Sequence, residues 1–280
     1  MTHRVQCDEL LLSALRDERL DTVDGAFGYG GGDELHKANL RHRRRTRVDI
    51  TDAADEARVL YLKRYSRERF CDVLRRVRVY GWATSPAGVE FANIVAARRA
   101  GVPAMEALIY GDDRTWLGHH RSYLVMSEVP GEALERTGEA FFARHGVDSD
   151  MAETLTIQLA MIAAKLHDAG YVHRDFYASH VFLDERDGAI ALYLIDLARM
   201  FKPRWRRFRW RVKDLAQLKY SMPADWVAQC WWEFLSTYLA SIETHHSAAQ
   251  WRCAIDRKVQ TMQRRGERKA RAAGAEATIA

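Results

Sequence analysis

One stretch constrains this chain more than any other: Val172-His173-Arg174-Asp175-Phe176-Tyr177-Ala178-Ser179-His180-Val181-Phe182-Leu183. Before it, Leu155, Leu159, Ile162, Ala163 and Leu166 recur at helical spacing, and Gly170 stands where a helix C-terminal cap is expected. After it come two short apolar strands, Val181–Leu183 and Ile190–Leu197, with Asp187-Gly188 between them as a turn signal. The second strand closes in Leu194-Ile195-Asp196-Leu197. An aspartate in a loop and another at the end of the following hairpin can converge on one metal–phosphate site. The first can accept a proton from an alcohol, and the second can hold Mg²⁺ through hard carboxylate oxygens.

The sequence before this stretch has a different character. Asp8 to Leu20 reads as a short amphipathic helix, and Gly28-Tyr29-Gly30-Gly31-Gly32 as a flexible turn. Strand character follows in Glu34–Leu40, Thr46–Ile50 and Arg58–Tyr65, the last nearly continuously apolar up to Lys63. A helix is predicted from Pro86 to near Gly101, with Phe91, Ile94 and Val95 on one face and Pro103 as its stop. Met105–Tyr110 and Ser122–Val129 complete a predicted five-strand sheet, joined by the polar Gly111–His120 turn. Beyond Pro130-Gly131 the chain turns helical, and Trp226, Trp231, Trp232 and Trp251 are expected in its core.

The His-Arg-Asp loop with a metal ligand five residues on resembles the catalytic loop of protein kinases. Three features narrow the resemblance: His180 at the metal-ligand position, the following Ile195-Asp196-Leu197, and Arg211-Val212-Lys213-Asp214-Leu215-Ala216-Gln217-Leu218. Together they resemble the lipopolysaccharide kinase family, the kinases of core heptose and of 3-deoxy-manno-octulosonic acid (Kdo). The resemblance spans about Tyr61 to Ser221 and is strongest from His167 to Ser221. It implies a two-lobed, protein-kinase-like α+β fold that binds ATP and Mg²⁺ between its lobes. Residues 1–32 would form an N-terminal helix and linker, 33–129 the sheet lobe, 130–266 the catalytic lobe and 267–280 a flexible tail.

By the same resemblance Asp175 is the catalytic base, and Lys63 holds the α/β-phosphates with Glu90 fixing its direction. Asp196 is the chief metal ligand, accompanied by His180, and Glu128 joins them at the cofactor site. Asp214 either anchors the catalytic loop or caps a helix. The chain lacks Gly-x-Gly-x-x-Gly between its first two strands, has Leu-Ala after Asp196 and carries no Ala-Pro-Glu, so a regulated activation loop is not expected. The basic run Arg41–Arg47 takes the place of the nucleotide-covering loop.

Between Lys202 and Lys213 stand seven basic residues interleaved with Trp205, Phe208 and Trp210, and no acid. Arg204, Arg206 and Arg207 are the expected acceptor-binding residues, facing the anionic groups of a lipopolysaccharide core sugar or a membrane surface. A net charge of +5 agrees with an anionic partner, and nucleic acid is not expected to be it. Cys7, Cys71, Cys230 and Cys253 form no Cys-x-x-Cys pair, which fits a reducing cytoplasm. No apolar run approaches the ~18 residues of a membrane span. These features agree with the location that the family resemblance implies, cytoplasmic and peripheral on the inner face of the inner membrane. Two other readings stay open: an atypical protein or small-molecule kinase, and a kinase-shaped protein that binds anionic lipid.

Overall fold

A computed structural model describes residues 2–35, 43–52, 54–66, 70–81, 84–115 and 118–279. It divides into two compact units, residues 1–99 with 104–129, and residues 100–103 with 130–280.

The first unit contains β1 (Thr2–Val5), α1 (Glu9–Asp17), α2 (Val23–Gly28), β2 (Asp33–Glu34), β3 (Arg43–Thr51), β4 (Ala57–Tyr65), α3 (Phe70–Tyr80), α4 (Pro86–Arg99), β5 (Ala107–Thr115) and β6 (Gly118–Ser127). Its sheet is antiparallel with the order β1-β5-β6-β4-β3-β2, six strands where five were predicted. The added strand is β1, which pairs Thr2–Val5 with Asp112–Ile109. Residues 1–32 are thus part of this unit: Leu11, Leu15, Leu20, Val23 and Ala26 pack onto Val48, Leu60, Leu62 and Val125 of the sheet.

Alternation along β4 sorts its side chains between two faces. Leu60, Leu62 and Arg64 point to the side of α1 and α2, where Arg64 donates to Thr46 Oγ1 at 2.6 Å and to the Tyr29 carbonyl at 3.1 Å. Lys63 and Tyr65, two residues apart, turn to the other side and meet α4. That helix begins at Pro86 as predicted, with Ser85 Oγ accepting from Gly88 N at 3.0 Å. Phe91 and Ile94 are buried and Val95 is half-buried. Of the predicted strand Glu34–Leu40, Glu34 lies in β2 and Leu35 follows it, donating to the Arg45 carbonyl at 2.8 Å, while residues 36–40 lie outside the described residues. Arg43–Arg47 belong to β3 rather than to a loop, while Arg41 and His42 also lie outside the described residues. β5 and β6 extend through most of the predicted Gly111–His120 turn, and only 116–117 separate them.

The second unit contains β7 (Glu132–Ala133), α5 (Leu134–His145), α6 (Asp150–Asp168), β8 (Val181–Arg186), β9 (Ala189–Leu194), α7 (Arg207–Ser221), α8 (Ala224–Gln229), α9 (Trp231–Ala240) and α10 (Ala248–Ile279). Ser149 caps α6 by accepting from Ala152 N at 3.2 Å. All five apolar residues predicted for its inner face are buried. The β8–β9 hairpin turns at Asp187 and Gly188, with φ of 51° and 74°, the left-handed pair that a tight hairpin needs. β7 adds a third, unpredicted strand to this small sheet. Pro103 accepts from Leu194 N at 2.9 Å, which ties 100–103 to this unit. Trp226, Trp231 and Trp251 are buried, but Trp232 is 55% exposed on the outer side of α9. The last helix continues to Ile279, so residues 267–279 are helical.

Candidate active site

The second unit holds the residues of the His-Arg-Asp loop. Apart from a 3-10 turn at Ala178–His180 the loop's backbone is irregular, so most of its N–H groups need acceptors from elsewhere. Helix α7 supplies them from one face, at positions i, i+3 and i+7. Asp214 accepts from His173 N at 2.6 Å and from Arg174 N at 2.9 Å. Gln217 Oε1 accepts from Phe176 N at 3.3 Å, and Ser221 Oγ from Ala178 N at 2.8 Å. Asp214 is fully buried inside the helix, not at its start, so it anchors the loop and is not a helix cap. Val172 and Phe201 close the loop's far side by exchanging backbone bonds of 3.0 and 3.1 Å.

Behind the loop, buried His167 bonds Asp214 Oδ2 at 3.3 Å and Tyr238 Oη at 2.8 Å. Burial pushes the His167 and His173 imidazoles below the usual histidine range. Arg211 Nη2 donates to the His167 carbonyl at 2.6 Å, and Lys213 Nζ donates to the Arg174 carbonyl. Burial also lowers the Lys213 pKa, with Asp214 and Asp175 opposing it.

Asp175 lies on the open side of this scaffold. Its carboxylate receives Arg199 Nη1 on both oxygens, at 3.0 and 2.7 Å. His180 Nδ1 bonds the Asp175 carbonyl at 2.7 Å. A carbonyl only accepts, so Nδ1 carries a proton, and in the neutral imidazole the lone pair is on Nε2. That Nε2 lies 3.9 Å from Asp196 Oδ2. Asp196 itself has φ 57°, a left-handed conformation that aspartate tolerates better than most side chains. It stands after the end of β9, not within the strand as predicted. Asp175, His180 and Asp196 are therefore gathered around one short loop.

The first unit gathers Lys63 and Glu90. Lys63 Nζ donates to Glu90 Oε1 and Tyr65 Oη donates to Glu90 Oε2, with the lysine and glutamate side chains 2% and 0% exposed. Exposed Glu128 accepts from Tyr61 Oη at 3.1 Å, and the Arg45 guanidinium lies 4.6 Å above the Tyr61 ring. Arg204, Arg206 and Arg207 are exposed just before and at the start of α7, and Trp205 beside them is 82% exposed. The other two aromatics of this segment are engaged. Phe208 packs on His246 and Trp251, and Trp210 on Phe201.

Sequence reasoning did not find Arg199, Tyr65, Gln217 or Ser221. Two signals were available: Tyr65 shares a strand face with Lys63, and Gln217 and Ser221 share a helix face with Asp214. Among the described residues no three His, Cys, Asp or Glu side chains form a metal-binding group. Asp196 with the His180 Nε2 lone pair makes an oxygen–nitrogen donor pair. The Asp196 carboxylate suits a Mg²⁺ ion that keeps water and substrate phosphate as its other ligands, whereas an imidazole nitrogen such as that of His180 is a donor Mg²⁺ disfavours.

Comparison with known proteins follows this geometry. The model of the Lipopolysaccharide kinase (Kdo/WaaP) family matches residues 34–238. Among solved structures, the chain is similar to one described as "WaaP in complex with acyl carrier protein". The TM-score is 0.68 and the identity 22%, covering 93% of this chain and 99% of that one. At that identity the likeness establishes the protein-kinase-like fold. No curated protein matches the sequence.

Proposed function

The chain belongs to the lipopolysaccharide kinase (Kdo/WaaP) family, and from that premise we propose that it transfers the γ-phosphate of ATP to a sugar hydroxyl of the lipopolysaccharide inner core, a heptose or Kdo. The observation that carries this reading is the fixed loop itself. Asp175 is the open-side carboxylate of a segment whose backbone N–H groups at His173, Arg174, Phe176 and Ala178 are tied to α7.

In this reading Asp175 accepts the proton of the attacking sugar hydroxyl, leaving its oxygen able to form the new P–O bond. Arg199 holds both carboxylate oxygens and so sets their direction. Lys63, aimed by Glu90, balances charge on the nucleotide phosphates, and Glu128 serves the cofactor side of the site. Asp196, with His180 beside it, would hold Mg²⁺, which supplies charge neutralisation at the transferring phosphate. Arg204, Arg206 and Arg207 bind the anionic groups of the acceptor or the surface that carries it.

Among the described residues no helix is long and apolar enough to cross a membrane. We place the protein on the cytoplasmic side, peripheral to the inner membrane, where the exposed arginines and Trp205 can meet anionic headgroups. The structural relative is held with an acyl carrier protein, and co-purification of such a protein with this chain is the corresponding partner test.

The experiment is direct. Purified protein with γ-labelled ATP and Mg²⁺ is expected to label lipopolysaccharide core lacking phosphate. Asp175→Ala is expected to retain ATP binding and lose at least about 100-fold in turnover. Wild-type turnover in Asp175→Ala would remove the assigned base.

A further inference from the structure

Helices α7 and α10 pack along one another, with Phe208 4.7 Å from Trp251 and Lys219 Nζ 2.7 Å from Asp256. Beside these contacts the two helices leave a groove of about 300 Å³. From α10 the helical repeat brings Arg257, Lys258 and Thr261 to its wall, and from α7 it brings Arg209, Trp210 and Lys213. Four of these six side chains are cations, and no carboxylate is among the lining residues.

Clustered cations in a folded protein are usually balanced by carboxylates. The acids nearest in sequence are already committed, Asp256 to Lys219 and Asp214 to the His-Arg-Asp loop. Arg209, Arg257 and Lys258 make no ion pair among the described residues. The Lys258 pKa is lowered by burial first and then by Arg265 and Arg209, as expected where positive charge has no counterion. Lys213 gives one N–H to the Arg174 carbonyl. The wall of the groove is thereby joined to the loop that carries Asp175.

We propose that the α7–α10 groove is a binding site for a phosphate-bearing anion, additional to the nucleotide's own phosphates. Arginine forks and lysine ammonium groups suit phosphate oxygens. The volume accommodates a diphosphate or the phosphate end of a phosphorylated sugar. Arg209, Arg257 and Lys258, the residues varied in the test, have no role in the transfer reaction proposed above, so the site can fail or hold independently of that reading.

The test is calorimetric titration of inorganic pyrophosphate into the full chain, with excess ADP present to occupy the nucleotide site. Wild type is expected to bind, and Arg257→Ser/Lys258→Ser to bind at least about tenfold more weakly. The single variant Arg209→Ser, on the opposite wall, is expected to weaken binding in the same direction. ADP affinity and the circular dichroism spectrum should be unchanged in both. Displacement of pyrophosphate by phosphatidylglycerol vesicles, but not by phosphatidylcholine vesicles, would identify the anion as a lipid headgroup. Displacement by glucose 6-phosphate alone would identify it as a soluble sugar phosphate. Absence of binding by wild type, or equal binding by folded variants, overturns the proposal.

Discussion

Three donors converge on the buried carboxylate of Asp214, two of them backbone N–H groups of the His-Arg-Asp loop. Asp214→Ala leaves both N–H groups without their acceptor in a place water does not reach. The expected loss is about 3 kcal/mol of stability, read as a lower urea midpoint, and turnover should fall even where the protein is still folded. Wild-type stability and turnover in this variant would show that the loop is held by its own contacts. The gathering of Asp175, His180 and Asp196 around one loop was legible in the sequence. His173, Asp175, His180 and Asp196 stand at spacings that only a loop followed by a hairpin brings together. The Asp175–Arg199 pair was not legible, because it depends on Asp196 and Leu197–Arg199 turning back toward the loop, which no local pattern encodes. The choice between anchor and cap for Asp214 likewise needed the start of α7, and basic Arg207 and Arg209 gave no conventional capping signal there.

Between elements, the buried Lys63–Glu90 pair joins β4 to α4, and Tyr65 shares the glutamate. Lys63→Met strands a carboxylate in the interior and should cost about 3–5 kcal/mol. Replacing Glu90 by Gln in the same chain removes that charge while keeping an acceptor for Tyr65, and should recover most of the loss. Turnover should stay low in both variants, which separates the pair's structural part from its part in phosphate binding. Equal stability of the single and double variants, measured by chemical denaturation, would contradict this division. The elements that sequence found are those whose pattern is set by burial: the α6 stripe, the apolar run of β4, and α4 bounded by Pro86 and Gly101. β1 escaped because Thr-His-Arg-Val has no alternation of its own and becomes a strand only by pairing with β5. The arginine-rich start of β3 looked like a loop. It is a strand because Arg43 and Arg45 lie over the rings of Tyr65 and Tyr61 on β4, at 5.7 and 4.6 Å. Trp232 was expected in the core on residue type alone, but α9 buries Trp231, Phe234, Leu235 and Tyr238 on one side and leaves it on the other.

Across the molecule, cations cluster at the start of α7 and along α10, as they also do on β3. Contacts made by exposed Arg204, Arg206 and Arg207 are screened over a Debye length of about 8 Å at physiological ionic strength. Replacing all three with alanine should weaken acceptor or anionic-vesicle binding and leave ATP affinity alone, and raising salt should do the same to the wild type. Vesicle sedimentation and acceptor kinetics that do not change in the triple variant would reduce this segment to a solvated surface. The central claim is that this protein puts a phosphate on the lipopolysaccharide core. It is tested most directly by mass spectrometry of lipopolysaccharide from a strain lacking the gene. The account predicts a core short of one phosphate, restored by the wild-type chain and not by Asp175→Ala; a core profile identical to that of the parent strain would contradict it.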